Sequence, residues 1–168
     1  KRISFDLKHQ KIHYNLKSDS LFLDYKEGNK SIPTQAIISA INTYGDIGNV
    51  PNHIAKFGWN GPYMVTEWGA TGHWEVPKTS WEAPIEENST LKAANYLKRY
   101  KAGIEADSLQ CIGSYVFLWG NKQERTPTWY GVYLEDGKET ESVDVMHFVW
   151  NNKWPENRTP QIVSYTIN

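Results

Sequence analysis

Three short, continuous apolar runs dominate the hydrophobic pattern of the chain. They cover residues 36–41, 62–68 and 111–118, and each is followed by a polar segment that contains glycine. Apolar runs of this length, bounded by glycine and proline, are typical of strands in a parallel sheet covered by helices. We therefore expect three buried strands, which end near Asn42, Trp68 and Trp119.

A helical pattern follows each run. The first, between Gly48 and Gly58, is short; the second begins with Asn88 or Ser89 as its N-cap, and the third ends before Pro155. The apolar residues of the three patterns are, in chain order, Ile54, Ala55 and Phe57; Leu91, Ala94, Leu97, Tyr100 and Ile104; and Val143, Met146, Val149 and Trp150. This alternation of strands and helices predicts an α/β fold with right-handed crossovers between parallel strands.

The connections between these predicted elements are unequal in length. Long loops follow the second and third strands, up to about residues 86 and 141, whereas the returns from helix to strand are short. In such folds, function lies at the carboxyl ends of the strands. Glu67, at the end of the second strand, is therefore placed like a catalytic carboxylate, although an N-capping or salt-bridged glutamate explains this stretch equally well.

The two ends of the chain have a different pattern. Residues 1–36 are an uncertain β-like segment, and residues 156–168 begin an alternating strand that is either the start of a following β-sandwich-like domain or a tail. Residues 37–155 hold the strand–helix units. Alternation of apolar and polar residues near the N-terminus predicts half-buried strands at 3–7, 12–16 and 21–25.

Charge and cysteine content narrow the classes of function. The chain has 168 residues, a formal net charge of −1 and a single cysteine, Cys111. The length suits one globular domain, and the near-neutral charge gives no reason to expect nucleic acid or a membrane as a partner. One cysteine excludes an internal disulfide framework. Because His9 and His13 lack a third ligand and no phosphate-binding glycine motif is present, we expect neither a metal nor a cofactor.

Aromatic residues are the most distinctive part of the composition. They make up 14% of the chain, which contains eight tryptophans, and several of these lie in loop-like sequence. Flat aromatic faces bind the C–H faces of sugar rings, but aromatic side chains equally pack long loops onto a fold. The tryptophans with polar, glycine or proline neighbours are Trp68, Trp74, Trp81 and Trp129.

Three short motifs together resemble a known enzyme family. The segment Thr66-Glu67-Trp68-Gly69 resembles the nucleophile strand of retaining β-glycosidases with (β/α)8 barrels, of the β-galactosidase and β-glucuronidase type (glycoside hydrolase family 2 and its relatives). Asn42-Thr43-Tyr44 is similar to the end of that family's sixth strand, and Trp119 is similar to the tryptophan that ends its eighth strand. The resemblance covers roughly residues 37–154. It implies a partial TIM barrel, made of about the last three strand–helix units.

The resemblance also implies a set of site residues. Glu67 corresponds to the catalytic nucleophile, and a tyrosine hydroxyl such as that of Tyr44 would help to keep it ionised. A histidine on this active-face loop is as often without function as it is a sugar ligand. The residues expected to contact substrate are Asn42, Tyr44, Trp68, His73, Trp74 and Trp119. The residues themselves indicate no cellular location; the resemblance alone implies a secreted or periplasmic one.

The chemistry of retaining hydrolysis requires a second carboxyl group, about 5–5.5 Å from the nucleophile, to protonate the leaving oxygen. In the family this acid is the glutamate of an Asn-Glu pair that ends the fourth strand, and the chain contains no Asn-Glu dipeptide. Other carboxylates lie on the long loop after the second strand, at Glu75, Glu82, Glu86 and Glu87, but none matches that motif.

The length of the chain also bears on whether it is a complete enzyme. A whole barrel takes about 250 residues. We therefore expect this chain to be an excised portion of a longer enzyme, whose open sheet exposes one apolar flank and associates with the rest of that enzyme or with itself. The alternative is a non-catalytic carbohydrate-binding or assembly module that retains the aromatic surface.

Overall fold

The computed structural model describes residues 2–6, 11–15, 22–27, 30–33 and 39–166. Its strands are β1 (Arg2–Asp6), β2 (Lys11–Asn15), β3 (Phe22–Glu27), β4 (Lys30–Pro33), β5 (Ser39–Asn42), β6 (Tyr63–Gly69) and β7 (Cys111–Phe117). Its α-helices are α1 (Val50–Lys56), α2 (Ser89–Gly103) and α3 (Glu141–Asn151). Each helix follows one of the last three strands, so the three predicted strand–helix units are present. The start of the first predicted strand, residues 36–38, lies outside the described residues.

Strands β5, β6 and β7 form a parallel sheet with β6 at its centre. Every connection within this sheet carries a helix, as parallel pairing requires. The predicted α/β class and the parallel order of the three strands are confirmed. Because the strands are parallel, their carboxyl ends and the long loops that follow them meet at one edge.

The central strand carries a bulge just before its carboxyl end. Ile41 of β5 pairs with Val65 and the next residue, Asn42, pairs with Glu67, so one step on β5 matches two on β6. The register of β6 against β7 also shifts, between Val65 and Trp68. A bulge changes the face to which the following side chains point. As a result Val65 and Trp68, three residues apart, are both buried, whereas Glu67 is partly exposed.

Helix α2 covers the face of the sheet that carries Trp68. The ring of Trp68 lies 5.6 Å from that of Tyr96 and 6.0 Å from that of Tyr100, between centroids. Helix α3 packs beside α2. Asn88 caps α2 as predicted, because its side-chain oxygen accepts the backbone N–H of Leu91 at 2.9 Å.

The predicted apolar stripe of α2 is partly wrong. Leu91 is 47% exposed and Ala94 is exposed, whereas Ala93 and Tyr96 are buried. The helix packs against α3 as well as against the sheet, so two neighbours rather than one determine its buried side. The spacing of apolar residues indicates that a helix has an apolar face, but it does not show which neighbouring elements that face contacts.

No helix among the described residues covers the other face of the sheet. Ile112 and Tyr115 of β7 are more than half exposed, and Ala40 of β5 is exposed as well. The described residues therefore form an open three-stranded sheet with an uncovered flank, as expected from the sequence. Parallel sheets are normally covered on both faces.

The terminal segments follow their predictions only in part. Strands β1 to β4 form a second sheet in the order β2-β1-β3-β4, in which β1 and β3 are parallel and the other pairs antiparallel. The three predicted N-terminal strands are confirmed over their described residues, positions 7, 16 and 21 lie outside those residues, and β4 was missed. At the C-terminus, residues 157–166 form no strand. The N–H groups of Thr159 and Ile162 bind Asp144 and Thr90 side chains, at 2.8 and 2.7 Å, instead of a neighbouring strand. No helix in the described ranges combines the length and hydrophobicity needed to cross a membrane.

Candidate functional site

Glu67 lies at the carboxyl end of β6, and each of its carboxylate oxygens accepts a hydrogen bond from the end of the neighbouring strand. The Asn42 amide donates to Oε2 at 3.2 Å, and the Tyr44 hydroxyl donates to Oε1. The orientation of the Asn42 amide is set by Thr66, whose hydroxyl donates to Oδ1 at 2.8 Å. The structure thus brings together three of the residues singled out in the sequence.

Parallel pairing explains why these residues meet. The backbone N–H of Thr43 donates to the Glu67 carbonyl at 2.9 Å, which continues the β5–β6 ladder one residue beyond the strand. Asn42 and Tyr44 flank Thr43, and both side chains reach the Glu67 carboxylate. The bulge in β6 frees Glu67 from the buried face, where strict alternation after Val65 would have placed it.

Burial raises the pKa of the Tyr44 hydroxyl above its ordinary value, and the hydrogen bond to Glu67 and the negative charge of that carboxylate raise it further. The negative charges of Tyr130 and Glu124 raise this pKa in the same direction. All of these effects disfavour a phenolate beside a carboxylate. Tyr44 therefore remains protonated, and remains a donor to Glu67, well above the pH of about 10 at which a free tyrosine ionises.

Tyr44 is accordingly expected to make no contribution when tyrosine ionisation is followed by absorbance at about 295 nm. Between about pH 9 and pH 11 the protein and its Tyr44→Phe variant should show the same rise, because the missing hydroxyl does not ionise there. Circular dichroism would check that both proteins remain folded. A rise smaller by one tyrosine in the variant would show that Tyr44 ionises normally and is not held on Glu67.

Aromatic rings surround Tyr44. Its ring meets those of Trp74, Tyr130 and Phe117 edge to face, with centroids 5.4, 5.9 and 6.3 Å apart. The Trp74 side chain is 58% exposed, so one flat ring beside Tyr44, the partner of Glu67, remains open to solvent. A polar anchor next to an exposed aromatic face suits a ligand that has both hydroxyl groups and C–H faces.

His73 lies against the same cluster. Its backbone N–H donates to the Tyr130 hydroxyl at 3.1 Å, and its Nδ1 lies 2.9 Å from that oxygen. The imidazole also meets the Trp74 ring edge to face, with centroids 4.9 Å apart. His73 and Trp74 are therefore placed on the loop that borders Tyr44, as the sequence led us to expect.

Of the two remaining predicted substrate contacts, one is buried, and the other is exposed just after β7 and stays a prediction. Trp68 is fully buried between the sheet and α2, so its assignment to the substrate surface is corrected: it belongs to the core. Trp119 is 49% exposed, but its ring packs on those of Tyr133 and Trp150. Phe117, two residues earlier, is the β7 residue whose ring faces Tyr44. Among the other loop tryptophans, Trp129 is buried and Trp81 is exposed.

Each loop carboxylate considered as the second catalytic group already has partners. Glu75 accepts backbone N–H groups of Gly45 and Gly72, and Glu82 pairs with Lys78 at 2.8 Å. Glu86 pairs with the buried Lys92 and accepts hydrogen bonds from Thr126 and Thr128, which joins the two long loops. Glu87 accepts from Asn95 and Thr71. Within the described residues, no second carboxylate shares the donors of Glu67.

Two residues of the site were missed by sequence reasoning, and Glu75 was considered only as a second catalytic carboxylate. Phe117 and Tyr130 form part of the wall around Tyr44, and Glu75 joins the neighbouring loops. Tyr130 lies in a loop without periodicity, so only its aromatic neighbours in the folded chain identify it. The residues for which the structure gives positions include no group of three or more acidic, histidine or cysteine side chains arranged to hold a metal.

Neither a known protein family's sequence model nor a curated protein sequence matches the chain. The resemblance to glycosidases therefore rests on three short motifs, and the function of those motifs in this protein is a proposal.

Proposed function

We propose that the chain is a portion of a retaining β-glycoside hydrolase that acts on O-glycosidic bonds of oligo- or polysaccharides, with Glu67 as its nucleophile. One observation carries the proposal. A carboxylate lies at the carboxyl end of the central parallel strand, with a hydrogen-bond donor on each oxygen and an exposed aromatic ring nearby. Donors on both oxygens hold the carboxylate in one orientation, which an attacking nucleophile needs.

In this mechanism Glu67 attacks the anomeric carbon while a second carboxyl group protonates the leaving oxygen. A covalent glycosyl ester forms on Glu67 as the glycosidic C–O bond breaks, and water activated by the second group then cleaves the ester. Tyr44 and Asn42 fix the direction of attack. In the second step they stabilise the negative charge that returns to the carboxylate.

The proposal also includes a specific fold, a partial TIM barrel. Strands β5, β6 and β7 correspond to the sixth, seventh and eighth strands of a TIM barrel, and the uncovered face with Ile112 and Tyr115 is part of its interior. The rest of a longer chain, or a second copy of this one, covers that face and removes the open edges. The acid carboxyl belongs to the missing strands, because the loop carboxylates are bound elsewhere.

Trp74 supports a second candidate function. Its exposed ring beside Tyr44 is a surface on which a sugar can stack whether or not a catalytic acid is present. A non-catalytic carbohydrate-binding or assembly module is therefore the alternative.

Covalent trapping separates the two functions. A 2-deoxy-2-fluoro-β-glycoside with a good leaving group forms the ester readily but slows its hydrolysis, because fluorine destabilises positive charge at the anomeric carbon. The full-length protein, treated with gluco-, galacto- and glucurono-configured reagents, is expected to gain one glycosyl group on the peptide that contains Glu67. Hydrolysis of the matching aryl glycoside with the label on another residue would disprove this role of Glu67. Saturable oligosaccharide binding, followed by tryptophan fluorescence, without hydrolysis or label would favour the module.

A further inference from the structure

The Glu75 carboxylate connects the loops that follow β5 and β6. Both of its oxygens accept the backbone N–H of Gly45, each at 3.1 Å, and Oε2 also accepts the N–H of Gly72 at 2.8 Å. The N–H of Glu75 in turn donates to the Gly72 carbonyl at 2.8 Å. An exposed glutamate whose carboxylate is occupied by N–H groups from two loops acts as a link between them.

The Gly45 end of this link borders Tyr44. On one side of Tyr44, the N–H of Thr43 binds the Glu67 carbonyl; on the other side, the N–H of Gly45 binds Glu75. A Cβ at position 45 would lie 2.8 Å from Glu75 Oε1, so a side chain there would displace the carboxylate. The tyrosine whose hydroxyl meets Glu67 is thus held on both sides.

The Gly72 end borders Trp74. A Cβ at position 72 would lie 2.6 Å from atoms of the Trp74 ring, so that ring rests against the glycine backbone. The same ring meets Tyr44 edge to face. Glu75, the residue after Trp74, therefore links the open aromatic face to the backbone beside Tyr44.

From these contacts we infer that Glu75 is a positioning residue, which holds the Tyr44 hydroxyl on Glu67 and keeps the Trp74 ring beside it. Glu75 acts through the backbone of Gly45 and Gly72. The link between the loops stands on geometry alone. Only its consequence for turnover rests on the proposed glycosidase function.

Ionisation of Tyr44 reports directly on this link. The groups that act on the pKa of the Tyr44 hydroxyl are Glu67, Tyr130 and Glu124, and a substitution at position 75 leaves all three side chains in the protein. Because the charge of Glu75 also raises the pKa of Tyr130, Tyr130 has to be separated from Tyr44 by a variant that lacks the Tyr44 hydroxyl. If Glu75 is lost, Tyr44 moves away from Glu67 and becomes hydrated, so its hydroxyl ionises near the ordinary pH of about 10. A change that merely loosened the loop, and left Tyr44 in place, would not have this effect.

Glu75→Ala is expected to gain the absorbance of about one ionised tyrosine at 295 nm between about pH 9 and pH 11, relative to the unchanged protein. Glu75→Gln should gain less absorbance, because its amide retains one acceptor oxygen. If circular dichroism shows that the alanine variant is unfolded, the glutamine variant provides the test of the link. Addition of Tyr44→Phe to either variant should remove the gain. Glu82→Gln is the matched control, since Glu82 lies on the same loop and pairs with Lys78.

The absence of any gain in the Glu75 variants, or a gain that persists with Tyr44→Phe, would overturn the inference. In a protein that hydrolyses glycosides, Glu75→Ala and Tyr44→Phe should each lower kcat by about 10-fold, and their combination by little more, because they remove one shared interaction. A changed titration in a protein without glycosidase activity would reject the proposed function and leave the positioning role intact.

Discussion

Replacement of Glu67 by glutamine in the full-length protein is expected to lower kcat by about 10⁴-fold or more. An amide is a poor nucleophile and cannot form the glycosyl ester. The side chain keeps its size, and Oε1 can still accept from Tyr44, so affinity for an oligosaccharide should change by less than about 3-fold. Turnover is measured with an aryl glycoside and binding by isothermal titration calorimetry.

Glu105→Gln provides the control for this substitution. Glu105 is exposed and lies in the 3-10 turn before β7, at the opposite edge of the sheet from Glu67. Its substitution should leave both turnover and binding unchanged. Near-normal turnover of the Glu67→Gln variant would end the assignment of Glu67 as the nucleophile, and equal loss in both variants would point to a general effect on the fold.

Replacement of Trp68 by alanine is expected to lower the free energy of unfolding by about 3–5 kcal/mol, because a fully buried indole is removed and a cavity is left against Tyr96 and Tyr100. Trp68→Phe should cost less. It retains most of the apolar contact, and it removes an indole N–H that has no hydrogen-bond partner in the described residues. Thermal and denaturant unfolding, followed by circular dichroism, measure both changes.

Trp74→Ala tests a surface tryptophan, for comparison with the buried Trp68. More than half of this side chain is exposed, so its removal should change the free energy of unfolding by less than about 1 kcal/mol. It should nevertheless weaken oligosaccharide binding by about 5- to 10-fold, since a stacked aromatic contact is worth about 1 kcal/mol or slightly more. The reverse result, in which Trp68→Ala weakens binding without loss of stability, would restore Trp68 to the substrate surface.

Much of the fold follows from local pattern. Three apolar runs bounded by glycine and proline predicted β5, β6 and β7, and their alternation with helices predicted parallel pairing. Asn88 as the cap of α2 follows from side-chain chemistry that acts within one turn. The alternating pattern near the end of the chain forms no strand at residues 157–166, because such a pattern suits a strand but pairing also requires a neighbouring strand. Residues 157–166 instead find side-chain acceptors such as Asp144 and Thr90.

Some residues of the site could likewise be predicted from the sequence, and others could not. Parallel strands end at one edge of a sheet, and this rule can be applied from the order of the strands in the sequence. It accounts for the contacts of Asn42 and Tyr44 with Glu67. Tyr130 and Glu75 join the site through long loops, and no periodic signal marks where a loop side chain will point. Phe117 ends β7, and only the folded chain shows that its ring faces Tyr44.

The sequence by itself therefore determined the three strand–helix units, their parallel order and the residue types at the strand ends, because these follow from patterns along the chain. Only the tertiary structure decided which side of β6 each side chain occupies. One extra residue in the strand reverses the alternation after Val65. That reversal places Trp68 in the core beneath α2, and it leaves Glu67 at the edge between Asn42 and Tyr44.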